Sequence, residues 1–173
     1  MIFKRIETEG ADLDLLNSHV NNGKHVFIFL FMDGCGHCED ALPKWKQIEN
    51  DMGDEYKDND DVMVAAVNKE VLGSMPYVGG VNGFPTIKYI FQGNNKKRNE
   101  NYEDSSIVTK DRSTSSFINW IENSIKRFES VKPVEINARG TKKRSKRSKQ
   151  SKQNKKSQTQ QKRKRNKRFK KTR

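Results

Sequence analysis

The chain has 173 residues and a formal net charge of +13. That length allows one modest domain plus an extension, and the longest apolar run, Val26 to Met32, is too short for a membrane span. The charge is sharply divided: residues 139–173 hold 19 Lys/Arg and no Asp or Glu, whereas the other 138 residues carry 16 basic and 22 acidic side chains.

Residues 1–9 read as a short edge strand. They lack the basic-then-apolar leader and cleavage site of an exported protein, and the chain closes Lys171-Thr172-Arg173 rather than in an endoplasmic-reticulum retention signal. The expectation is a soluble protein of the cytoplasm, the nucleus or a viral particle. Leu13, Leu15, Leu16 and Val20 give a helical face over Asp12 to Val20, stopped by Asn21-Asn22-Gly23. Val26–Met32 is uninterrupted and apolar, as in a central strand covered on both faces. A helix is predicted from Cys35 to about Asn50, kinked at Pro43 because the proline ring removes a helix hydrogen bond.

Val62 to Val67 reads as a second, parallel strand, since a helical crossover separates it from the first. One helical turn is expected at Glu70 to Met75, and a strand from Pro85 to Phe91. A polar turn at Gly93 to Arg98 then leads to an edge strand at Asn99 to Ser105. The last helix spans Ser113 to Phe128, with Phe117, Ile118, Ile121, Ile125 and Phe128 as its apolar stripe. The order β-α-β-α-β-α-β-β-α implies an α/β fold with a mixed central sheet flanked by helices, filling residues 1–130.

The chain's two cysteines stand in Cys35-Gly36-His37-Cys38, between the apolar strand and the following helix. A helix N-terminus offers unpaired N–H groups and partial positive charge, both of which favour a thiolate. Thiols at i and i+3 share one side of the first turn, so Cys38 is placed to attack a mixed disulfide formed by Cys35. When protonated, His37 stabilises the Cys35 thiolate and makes the disulfide a stronger oxidant. A zinc site would need four ligands, and His19, His25 and His37 do not complete a set with good spacing. A purely structural bridge across so short a loop gains little chain entropy. The spacing therefore points to thiol–disulfide exchange.

The Cys-Gly-His-Cys run, Pro43 with Trp45 two residues later, and Gly83-Phe84-Pro85-Thr86-Ile87-Lys88-Tyr89 together resemble the thioredoxin fold. More narrowly they are similar to the catalytic domains of protein disulfide isomerases, over roughly Lys24 to Arg127. The resemblance implies Cys35 as the attacking thiol and Cys38 as the resolving one, with Gly36 and His37 completing the catalytic motif. It implies a cis peptide bond before Pro85, with the Phe84 main chain pairing to an extended substrate segment by strand addition. It implies that Arg112 swings towards Cys38 during turnover and lowers its pKa. The partners implied are protein thiols and disulfides, with no cofactor and no metal, and the chain is expected to act as a monomer.

Two positions depart from that pattern. Phe29 stands where the family has a buried acid that takes the resolving thiol's proton, so slower reoxidation or slower release of mixed disulfides is expected. Gly34 stands where the family usually has Trp, which predicts a more exposed dithiol and a more flexible loop.

Residues 131–140, with Pro133, Asn137 and Gly140, read as a linker. Residues 141–173 cannot bury enough apolar surface to fold alone, so a disordered basic tail is expected. Lys142, Lys143, Arg144, Lys146 and Arg147 open a run suited to DNA or RNA through sequence-independent phosphate contacts. The alternative reading is a nucleic-acid- or virion-associated binding protein that uses the fold as a scaffold with little redox turnover.

Overall fold

The computed structural model describes residues 1–93 and 95–129, with side chains through Arg127. Strand β1 (Ile2–Ile6) leads to α1 (Ala11–Asn21), β2 (His25–Phe31), α2 (Gly36–Met52) and β3 (Val62–Asn68). Two 3-10 turns, Lys69–Ser74 and Pro76–Val78, carry the chain to β4 (Thr86–Gly93). Strand β5 (Lys96–Asn101), a 3-10 turn at Tyr102–Asp104 and α3 (Thr114–Glu129) complete the described part.

The five strands lie in the order β1-β3-β2-β4-β5. β1 and β2 run parallel to β3, and β4 and β5 are antiparallel to their neighbours. β2 and β3 occupy interior positions and are buried on both faces, which is why their sequences are apolar without alternation. The side-chain period of two sends Phe27, Phe29, Phe31, Val64 and Ala66 to the face covered by α2 and α3. It sends Val26, Ile28, Leu30, Met63, Ala65 and Val67 to the face covered by α1 and the 3-10 turns.

The helices obey the same logic. α2 buries Cys38, Ala41, Trp45, Ile48 and Met52, three or four residues apart, on one face. Asp12 and Asp14 sit in the first turn of α1, where the helix dipole favours negative charge. α2 runs through Pro43 as one element to Met52, two residues past the expected end. In α3 the buried stripe includes Trp120, whose ring meets Phe27 edge-on at 5.2 Å, whereas Ile118 is only partly buried. The side chain of Phe128 lies outside the described residues.

One boundary differs clearly. β5 begins at Lys96, three residues before the expected strand, because Gly93 pairs with Lys96 across a two-residue connection. Its sequence, Lys-Lys-Arg-Asn-Glu-Asn, has no apolar residue, so it carries no hydrophobic period; charges of this kind protect a sheet edge from further pairing. Among the described residues no helix is long and apolar enough to cross a membrane.

Candidate active site

Cys35 is the N-cap residue of α2, in extended backbone conformation, and its carbonyl accepts the amides of Cys38 and Glu39 at 2.9 and 3.0 Å. Its Sγ also accepts the Cys38 N–H at 3.2 Å, so the sulfur sits at the positive end of the helix. Cys35 and Cys38 are joined as a disulfide with Cα atoms 5.2 Å apart. Cys35 is 8% exposed and Cys38 2%. Cys35 is therefore the more exposed of the two, though it lies at a rim and does not stand free. The more exposed dithiol expected from Gly34 is not seen: both cysteines are buried.

The Phe84–Pro85 bond is cis, and the Phe84 carbonyl oxygen lies 3.5 Å from Cys35 Sγ. The fold thus brings together Cys35, Gly36, His37, Cys38, Phe84 and Pro85, which are up to 50 positions apart in the chain. Gly36 and His37 are exposed in the first turn of α2. Arg112, by contrast, is held at Glu103: its Nε and Nη2 donate to Glu103 Oε1 at 3.0 and 2.7 Å, from a loop residue with φ of 57°.

Phe29 is fully buried, tilted against Trp45 at 5.6 Å and paired across the sheet with Ala66 and Ile87. Among the described residues, the buried Lys, Arg, His, Asp or Glu side chains are His19 and Lys88, and both belong to the α1 side of the sheet. Among the described residues, the disulfide's side of the core therefore holds no buried carboxylate.

Sequence reasoning passed over one pair. Asn68, 4% exposed at the end of β3, donates Nδ2 to both carboxylate oxygens of Asp33 at 3.4 and 3.5 Å. Its Oδ1 accepts the Glu70 amide at 3.1 Å. This bridge ties the Asp33-Gly34 turn to the sheet just before Cys35. The available signal was a capping-type residue closing an apolar strand. Lys142, Lys143, Arg144, Lys146 and Arg147, with the linker and tail boundaries, lie outside the described residues.

Comparisons with known proteins agree with this geometry. The thioredoxin family model matches residues 10–113. Protein disulfide-isomerase 1 of Dictyostelium discoideum is 28% identical over 104 residues, which cover 59% of this chain and 25% of that protein. Protein disulfide-isomerase A6 of Homo sapiens is 42% identical over 69 residues, 40% of this chain and 14% of that protein. The chain thus matches about a quarter or less of these relatives' length. In fold it is similar to the Trx4 domain of ERdj5, with a TM-score of 0.50 at 11% identity, covering 71% of this chain and 96% of that one. With a redox-motif disulfide capping α2, a cis-proline beside it and a family match over more than half its length, the chain belongs to the thioredoxin family.

Proposed function

We propose that this chain is a thiol–disulfide oxidoreductase of the isomerase kind, cycling Cys35 and Cys38 against protein thiols and disulfides. The observation that carries the reading is the position of Cys35 Sγ, capped by the Cys38 N–H at 3.2 Å and 3.5 Å from the Phe84 carbonyl. In the oxidising direction a substrate thiolate attacks Cys35 Sγ, a mixed disulfide forms, and the Cys35–Cys38 bond breaks with the electron pair leaving on Cys38. A second substrate thiolate then attacks the substrate sulfur and releases Cys35 as a thiolate. The substrate loses two electrons and two protons, and the protein becomes the dithiol. The reducing direction is the reverse, with a dithiol as the electron source.

The helix N-terminus stabilises the Cys35 thiolate on release. Cys38, in apolar surroundings with no buried carboxylate among the described residues, is the poorer leaving group, so its departure limits the cycle. A swing of Arg112 towards Cys38 would break its ion pair with Glu103, a half-exposed contact of about 1 kcal/mol or less. With His37 in the motif, the potential is expected nearer about −180 mV than about −270 mV.

Insulin reduction by the full chain tests the reading. Wild type is expected to precipitate insulin well ahead of Cys35→Ser, and Cys38→Ser to accumulate mixed disulfide. Equal rates for wild type and Cys35→Ser would leave only an inert scaffold.

A second reading concerns residues 139–173, whose 19 cationic side chains without an acid support sequence-independent contact with DNA or RNA. The redox domain would then be delivered to a nucleic-acid-rich site, and retention on DNA–cellulose with release by salt tests it.

A further inference from the structure

Lys88 is a lysine in the interior of a sheet, 6% exposed, and nothing in the exchange chemistry uses it. It pairs with Ile28 on β2 and with Asn101 on β5, so its side chain leaves the sheet on the same face as Ile90 and Asn99, the α1 side. There Lys88 Nζ reaches the diagonal neighbour on β5 and donates to Asn99 Oδ1 at 3.3 Å. The same amide donates from Nδ2 to two main-chain carbonyls, Tyr77 at 2.8 Å and Val78 at 3.0 Å. One amide orientation satisfies all three contacts, since an ammonium only donates and a carbonyl only accepts.

These carbonyls belong to the 3-10 turn that feeds the loop before Pro85. Tyr77 also donates its hydroxyl to Asn17 of α1 at 2.7 Å. Gly79 follows with φ of +72°, and a Cβ there would lie 3.6 Å from Asn99 Nδ2, so the amide lies directly beneath the loop's first residue. At the other end Thr86 Oγ1 donates to the Gly83 carbonyl at 2.6 Å. Between these anchors runs the segment that sets the Phe84 carbonyl against Cys35.

We infer that Lys88 and Asn99 act as positioning residues that hold the 79–84 loop, and with it the Phe84 main chain, in place to receive an extended polypeptide. The inference rests on the oxidoreductase reading, because it assigns substrate capture to the same site. Its physical basis is that a charged donor strengthens the hydrogen bonds of the amide it polarises; Lys88 is buried, whereas Asn99 is exposed at the sheet edge. Burial pushes the Lys88 ammonium below the usual lysine range, against the opposing pull of Asp104.

The test measures two quantities on the full chain: the affinity of the oxidised form for a cysteine-free extended peptide, and the rate at which the same oxidised form is reduced by glutathione, its Cys35–Cys38 disulfide being the oxidant and the glutathione thiol the reductant. Lys88→Met and Asn99→Ala are each expected to weaken peptide binding at least fivefold, the double variant to weaken it no further, and Lys88→Arg to retain it. The exchange rate with glutathione, which needs no strand pairing, is expected to move less than twofold. Peptide affinity unchanged in both variants overturns the inference, as do additive losses or a parallel loss of both quantities. Wild type that binds no peptide also overturns it, and wild type inert to glutathione overturns instead the oxidoreductase reading. If Lys88→Met does not fold, the Asn99→Ala and Asn99→Asp pair decides: Asp loses the two donated bonds, and peptide affinity equal to wild type in it sinks the clamp.

Discussion

At the scale of single residues, Phe29 bears on the rate of the proposed exchange. A carboxylate there would be buried among Trp45, Ala66 and Ile87. Phe29→Glu is therefore expected to cost about 3 kcal/mol or more in urea denaturation, through lost packing and an unpaired buried acid. It is also expected to quicken release of Cys38 in stopped-flow thiol exchange, since general acid–base help contributes about 10²–10⁴-fold where it is present. No change of rate in the folded variant would count against the missing acid as a limit on the proposed exchange. Lys88 carries a prediction of pH dependence. Its folded pKa lies below the ordinary lysine value of about 10.4, so between the two values the unfolded chain binds more protons and stability rises with pH. That contribution is complete above the unfolded pKa and is lost as pH falls through the folded one. Relative to Lys88→Met, wild type is expected to gain stability as pH rises towards the ordinary lysine value of about 10.4. The buried tyrosines, with raised pKa values, are common to both proteins and drop out of the difference.

At the scale of elements, the turn between β2 and α2 departs from an ordinary strand-to-helix connection. Gly34 has φ of +70°, a left-handed conformation in which a side chain is strained although a Cβ would meet nothing within 4 Å. The cost of substitution is therefore conformational. Gly34→Ala is expected to lower stability by about 1 kcal/mol, measured by urea denaturation, with the Asp33–Asn68 bridge opposing rearrangement. Gly34→Trp meets the same backbone and is expected to carry the same conformational cost. No loss on Gly34→Ala would show that the turn relaxes. The edge strand β5 illustrates a separate point, since its place follows from pairing with β4 and from no apolar pattern of its own.

For the whole molecule, the charge division is the dominant feature. A chain with 22 acids among its first 138 residues and 19 cations among its last 35 concentrates attraction for polyanions at one end. If that end binds DNA or RNA, affinity of the full chain is expected to fall about 10³-fold or more between about 50 and about 200 mM salt, as counterion release requires for six or more phosphate contacts. An affinity flat across that range, measured by fluorescence anisotropy, would exclude phosphate neutralisation as its source.

What the sequence determined by itself was the chemistry and the layered core. Two cysteines at i and i+3 allow few alternatives, and unbroken apolar runs at Val26 and Val62 demand burial on two faces. Those are local facts, fixed by spacing and period. Only the tertiary structure decided which distant groups meet: Phe84 beside Cys35, Asn68 on Asp33, Asn99 between Lys88 and the turn at Tyr77. Polar meetings of this kind leave no period in a sequence, because each depends on particular groups that the fold brings together and not on a repeated face.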